Sequence, residues 1–143
     1  MKAIRIACVD DSITMGTKYP ADLQIMLGSS YVVGNFGAGG CAVLFDSGKP
    51  CMNQTVFLKA KAFLPRVVVI MLGTNDASPA NYEHVEDFVV DYRKLIGESQ
   101  SLPSKPEVWL VKPPPIFNNG TGLNTMDFAR GVIPRIEQVA DEL

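Results

Sequence analysis

The chain has 143 residues, the size of one domain, and its 47% hydrophobic and 20% charged side chains can bury a core, which excludes a disordered segment. Thirteen Lys and Arg against fifteen Asp and Glu leave a net charge of −2. No basic run occurs, so neither nucleic acid nor an anionic membrane surface is expected as a partner. No apolar run approaches the roughly 18 residues that a membrane span requires.

The opening MKAIRIACVDDS carries a charge inside its first apolar run and lacks the apolar core and cleavage site of a signal peptide. It reads as cytoplasmic or as a trimmed secreted protein. Ala3 to Val9 is short and β-branched enough for a strand, and Ala21 to Leu27 gives a short helix ending at Gly28. Tyr31 to Val33 opens a second strand that runs into GNFGAGG at 34–40, and Cys41 to Asn53 shows no period and is expected as loop. Thr55 to Phe63 reads as a helix stopped by Pro65. Arg66 to Leu72, RVVVIML, is apolar without alternation, the pattern of a strand covered on both faces. After the turn GTNDASPAN, the residues Val85, Phe88, Val89, Tyr92, Leu95 and Ile96 recur at helical spacing. Glu107 to Val111 is a fourth strand, KPPP breaks the chain and NNGTG makes a loop. A last helix from about Asn124 buries Phe128, Val132, Ile133, Ile136 and Val139, with Pro134 expected to bend it.

Strand and helix alternate four times, which predicts an α/β fold: a three-layer α/β/α, doubly wound, flavodoxin-like parallel sheet of about four strands. Such sheets usually have five strands or more, so residues 1–143 read as a single domain lacking its last strand and helix.

In open α/β sheets ligands bind at the carboxyl ends of the strands, where DDSITMG, NFGAGG, GTND and KPPP all arrive. Each has a structural reading: Ser12 as a helix cap, the glycines as turn formers, Asn75 and Asp76 as a turn. Their joint placement favours chemistry instead. A serine on a sharp strand-to-helix turn exposes its hydroxyl beside backbone N–H groups. Gly40 lets a second N–H approach the same point, and Asn75 adds a side-chain amide. Three donors around one serine suit acyl transfer, because negative charge develops on the carbonyl oxygen.

DSITMG at 11–16, NFGAGG at 35–40 and GTND at 73–76 resemble the first three sequence blocks of the SGNH, or GDSL-type, hydrolases, in the family's order within residues 4–117. The resemblance implies a carboxylic ester hydrolase in which Ser12 is the nucleophile. The Ser12 backbone, Gly40 and Asn75 form the oxyanion hole, with Gly37 as a second candidate for the glycine role, and Asp11, Thr74 and Asp76 line the binding region. SLPSKPEVWLVKPPP resembles the subgroup of sialate O-acetylesterases and other carbohydrate acetylesterases, which implies a short acyl group, acetyl above all, on a sugar. No metal or organic cofactor is called for.

The sequence departs from the family twice. Asp10 stands where a glycine is usual before Asp-Ser. The family's C-terminal Asp-x-x-His block does not follow EVWLV, and His84 is the one histidine. Beside Glu83 and Glu86, His84 reads as a solvated helix-end residue, so the chain is expected to lack the C-terminal portion and to be catalytically impaired. A sheet edge left open at the fourth strand would favour a homo-oligomer. Cys8, Cys41 and Cys51 cannot all pair internally and make a poor zinc set with one histidine; they read as small apolar residues, Cys41 nearest the pocket.

Two other readings compete. VDDS, with Lys112-Pro113 after a later strand, resembles a response-regulator receiver domain that binds Mg²⁺ and accepts phosphate on aspartate, but VVVIMLG offers no aspartate at its end before Asp76. The same pocket without its base would make a non-catalytic binding domain. No G-x-S-x-G elbow occurs, and GNFGAGG lacks the glycine spacing of a dinucleotide site.

Overall fold

A computed structural model of the chain describes residues 1–117 and 120–143. Four parallel strands, β1 (Ile4–Asp10), β2 (Tyr31–Gly37), β3 (Val67–Ile70) and β4 (Glu107–Leu110), form one sheet in the order β2-β1-β3-β4. The chain leaves β1 toward β2 on one side and returns toward β3 on the other. The topological switch point therefore lies between β1 and β3, where a crevice opens at the carboxyl ends.

On one face, α1 (Ser12–Gly16) and α2 (Tyr19–Leu27) lie against β2. On the other, α3 (Thr55–Ala62), α5 (Phe88–Gln100) and α7 (Ile133–Ala140) close the main core, while α4 (Pro79–Tyr82) and α6 (Thr125–Asp127) are single turns. Ala7, Val9, Val68 and Ile70 meet Phe57, Phe88, Tyr92, Leu95 and Ile136 in this core. Each buried Val, Ile, Leu or Phe among them contributes about 1.5–3 kcal/mol by leaving water. No described helix is long and apolar enough to cross a membrane.

Three expectations are corrected in detail. β3 is not equally covered on its two faces: Val68 and Ile70 are buried, whereas Val67 and Val69 are half-buried. The reason is that α1 and α2 lie over the β2 side of the sheet. On that face Val69, Met71 and Val111 border an open groove of about 520 Å³ with Ile13, Tyr19 and Pro114. The helix of residues 85–96 is broken at its start, with Val85–Asp87 a 3₁₀ turn before α5 begins at Phe88. The last helix starts where expected, with the Asn124 side chain capping the Met126 and Asp127 N–H groups. It then widens into a π turn over Phe128–Val132 ahead of Pro134. A proline lacks an N–H and clashes with the carbonyl four residues back, and the wider turn relieves both. Of the NNGTG loop, Asn118 and Asn119 lie outside the described residues; Gly120 and Gly122 take left-handed φ of 79° and 78°.

Candidate active site

Ser12 opens α1 directly after β1 and is exposed. The helix cap is Asp11, whose Oδ1 accepts from the Ile13 N–H at 2.9 Å, so the Ser12 hydroxyl is not consumed in capping. With five residues, α1 adds little dipole of its own. What fixes it is close packing on β2. A Cβ at Gly37 would lie 2.7 Å from the Met15 Cα and 2.8 Å from the Asp11 carbonyl oxygen. Asn35 completes the clamp: its Nδ2 donates to the Thr14 carbonyl at 2.9 Å and its Oδ1 accepts from the Gly37 N–H at 3.0 Å. Gly37 thus serves close approach, and its N–H is already engaged.

Gly40 has φ 76° and faces open space. Among the described residues, neither its N–H nor that of Ser12 donates to a protein acceptor. The glycine segment is tied to β1 through the Ala38 N–H, which donates to the Asp10 carbonyl at 2.9 Å. It passes close to the serine, since a Cβ at Gly39 would lie 4.0 Å from the Ser12 Cβ. Immediately beyond, Cys41 is disulfide-bonded to Cys51, which corrects the reading of these two as plain apolar residues. The loop comes round to run parallel beside itself, so that the Ala42 N–H donates to the Lys49 carbonyl and the Cys51 N–H to the Ala42 carbonyl, bringing the two sulfurs together. Cys8 remains free and buried, and burial raises its pKa.

Asn75 begins a 3₁₀ turn, Asn75–Ala77, after β3. Its Nδ2 donates to the Cys41 carbonyl at 3.0 Å and to the Asp11 Oδ2 at 3.3 Å. One nitrogen thus joins the residue before Ser12 to the residue after Gly40. The Asn75 carbonyl is held in turn by the Asn81 Nδ2 at 2.9 Å. Asn35, which opens the NFGAGG block at the end of β2, and Asn81 in α4 have no role assigned from the sequence; their signal is an amide residue in or just after a motif.

Asp11, Thr74 and Asp76 are all buried, so their contacts here are to protein. Asp76 accepts from the Val43 N–H at 3.0 Å and the Leu44 N–H at 2.9 Å, fixing the loop after the disulfide. The Thr74 Oγ1 is buried without a partner among the described residues. Asp10 accepts from the Thr14 hydroxyl at 2.7 Å through Oδ2, and its Oδ1 is buried unpartnered. Burial, and then the neighbouring Asp11 charge, push Asp10 up to about 7. Burial also raises Asp11, against the opposing pull of the Ile13 N–H and the Asp10 side chain. Asp76 is pushed up to about 7 by burial despite its two backbone donors. Burial and the Asp11 charge thus both favour the protonated form of Asp10.

His84 is half-buried, with Nδ1 3.3 Å from the exposed Asp46 carboxylate. Its partner is Asp46; Glu86 pairs instead with Arg135. Among the described residues no group of three His, Cys, Asp or Glu is placed to hold a metal ion.

No family model matches the chain. Its sequence is 33% identical over 165 aligned positions to an acetylxylan esterase of Xylanibacter ruminicola, an alignment covering 98% of this chain and 34% of that protein. The chain thus spans about a third of the length of the curated relative it matches. Among solved structures, an Agrobacterium tumefaciens protein proposed to be an arylesterase superposes with a TM-score of 0.76 at 21% identity, over 99% of this chain and 80% of that one. A carbohydrate acetylesterase family member from Sinorhizobium meliloti superposes with a TM-score of 0.70 at 23% identity, over 100% and 80%. The fold is that of these proteins: a parallel sheet between helical layers. The chain is a homologue of an esterase, and its relatives are consistent with the SGNH-type family whose sequence blocks its own motifs resemble.

Proposed function

We propose that the chain carries the nucleophile and oxyanion donors of a serine ester hydrolase that removes a short acyl group, acetyl above all, from a carbohydrate. The observation supporting this most strongly is the Asn75 amide, which bonds both to Asp11, the residue before Ser12, and to Cys41, the residue after Gly40. In this reading the Ser12 Oγ attacks the ester carbonyl carbon, and the carbonyl electrons move onto oxygen. The Ser12 and Gly40 N–H groups and the Asn75 amide donate to that oxyanion. The Asn75 bond to Asp11 is the longer of its two, and it gives way to the arriving oxygen. Solvent water takes the Ser12 proton, collapse expels the sugar alkoxide, which takes a proton from water, and a second water then hydrolyses acyl-Ser12, releasing the acid and restoring the hydroxyl. His84 stands with Asp46 and is assigned no part in moving the Ser12 proton. Turnover by these 143 residues is accordingly expected to be slow, because a hydroxyl without a base is a weak nucleophile.

The names of the relatives, an acetylxylan esterase and a carbohydrate acetylesterase family member, support a carbohydrate ester as substrate. They give no support to the receiver-domain or binding-module alternatives. Acid release from acylated xylo-oligosaccharides tests the proposal: from acetyl esters it should be slow, from esters of longer acyl chains slower still, and it should vanish in Ser12→Ala. Equal release by Ser12→Ala would reject it. The open edge of β4, with Trp109 57% exposed beside it, supports the further reading that two copies associate there.

A further inference from the structure

The Cys41–Cys51 disulfide takes no part in ester chemistry, yet it sits at the hinge of the site. Cys41 follows Gly40, and its carbonyl is the closer acceptor of the Asn75 amide at 3.0 Å. Two of the three proposed oxyanion donors therefore depend on where residues 40 and 41 are held. Gly39 and Gly40 carry no side chain to anchor them, and Gly40 faces open space with φ 76°. The first side chain packed beyond them is that of Cys41, which is buried, as is Cys51. Among the described residues, hydrogen bonds add the Cys41 N–H to the Ala38 carbonyl at 3.2 Å, the exposed Lys49 Nζ to the Gly39 carbonyl at 2.6 Å and, one residue on, the Ala42 N–H to the Lys49 carbonyl at 2.9 Å.

The rest of the loop is fastened without sulfur. Asp76 holds the Val43 and Leu44 N–H groups, and the Asp91 Oδ2 accepts from the Phe45 N–H at 2.9 Å. Val43 and Leu44 are fully buried in the core. Opening the disulfide thus removes the covalent tie next to Gly40 and leaves residues 39–41 held by single hydrogen bonds, while the fold is held elsewhere.

We propose that the Cys41–Cys51 disulfide is a positioning element of the oxyanion site, and that its reduction switches the site to a misaligned, weakly active state within an intact fold. This rests on the reading of Gly40 and Asn75 as oxyanion donors. The switch is a two-electron step. A dithiol such as dithiothreitol gives two electrons and two protons, the S–S bond becomes two thiols, and the dithiol closes to its own cyclic disulfide.

The test compares the oxidised chain, the chain reduced by dithiothreitol and alkylated, and Cys51→Ala. Ser12 acetylation by p-nitrophenyl acetate is followed together with the amide resonances of Gly40, the Asn75 side chain and β1. Both altered forms should acetylate about 10- to 100-fold more slowly with substrate affinity little changed, as for a misplaced catalytic geometry. The Gly40 and Asn75 resonances should shift or broaden while those of β1 stay in place. Unchanged Gly40 and Asn75 resonances in both forms would overturn the proposal, as would loss of the β1 resonances on reduction, because the fold is then what the disulfide maintains. If the oxidised chain is never acetylated, the esterase reading fails separately, and the resonances still decide the role of the disulfide.

Discussion

The Asn75 amide reaches the Asp11 carboxylate at 3.3 Å, joining the turn after β3 to the turn after β1 across the switch point of the sheet. Asp11 spends its other oxygen on the Ile13 N–H, so one buried carboxylate sets both the start of α1 and the direction of the asparagine. The nucleophile candidate and the side-chain donor are thereby positioned by the same residue, which touches no solvent.

Replacing Asn75 by alanine removes a donor that acts most strongly once the oxyanion has formed. Ser12 acetylation should fall by roughly 10²–10³-fold, the cost of one oxyanion-hole donor, with substrate affinity little changed. Stopped-flow release of p-nitrophenol from wild type and Asn75→Ala measures this. A loss confined to affinity would assign Asn75 to ground-state binding.

Gly37→Ala tests the clamp on α1. The added methyl meets the Met15 backbone and the Asp11 carbonyl, neither of which is a flexible side-chain end. Overpacking of this kind costs about 1–3 kcal/mol, so a thermal melt followed by circular dichroism should shift downward by several degrees. An unchanged midpoint would mean that α1 is free to lift from β2.

Asp10 and Asp76 are pushed from 3.8 up to about 7 in the folded chain. Between those values the folded chain binds more protons than the unfolded chain, so stability falls as pH rises from about 4 to 7. Asp10→Asn can still accept from the Thr14 hydroxyl but cannot ionise. It should flatten that slope and leave the protein more stable than wild type at pH 8. Urea unfolding at pH 5 and pH 8 reads both effects, and a wild type more stable at pH 8 would contradict them.

The uncovered face beside β4 should make the chain associate. Sedimentation velocity is expected to show a species larger than a monomer at high concentration, and Trp109→Lys, which places a charge on the edge, should shift it toward monomer. A monomer at every concentration removes the edge as an interface.

Much of this architecture is legible in the sequence. VVVIML and EVWLV mark their strands by β-branched runs, and the motifs at 11–16, 35–40 and 73–76 fall at strand ends because parallel crossovers bring them there. The disulfide is less legible, since three cysteines permit three pairings, and the choice is made by the loop that brings Ala42 and Cys51 side by side. One-sided cover of β3 is equally hidden: a run of valines looks the same whether the second face meets a helix or a groove. The role of Gly37 also escapes local reading, because its constraint comes from Met15, 22 positions earlier in the chain.

The central claim is that the Ser12 hydroxyl accepts the acyl group. Incubation of the 143-residue chain with p-nitrophenyl acetate, followed by rapid acid quench and peptide mass spectrometry, tests it most directly. The account predicts one acetyl group on the peptide containing Ser12, absent from Ser12→Ala and reduced in Asn75→Ala. Acetyl transfer only to lysines, or equal labelling of Ser12→Ala, would contradict it.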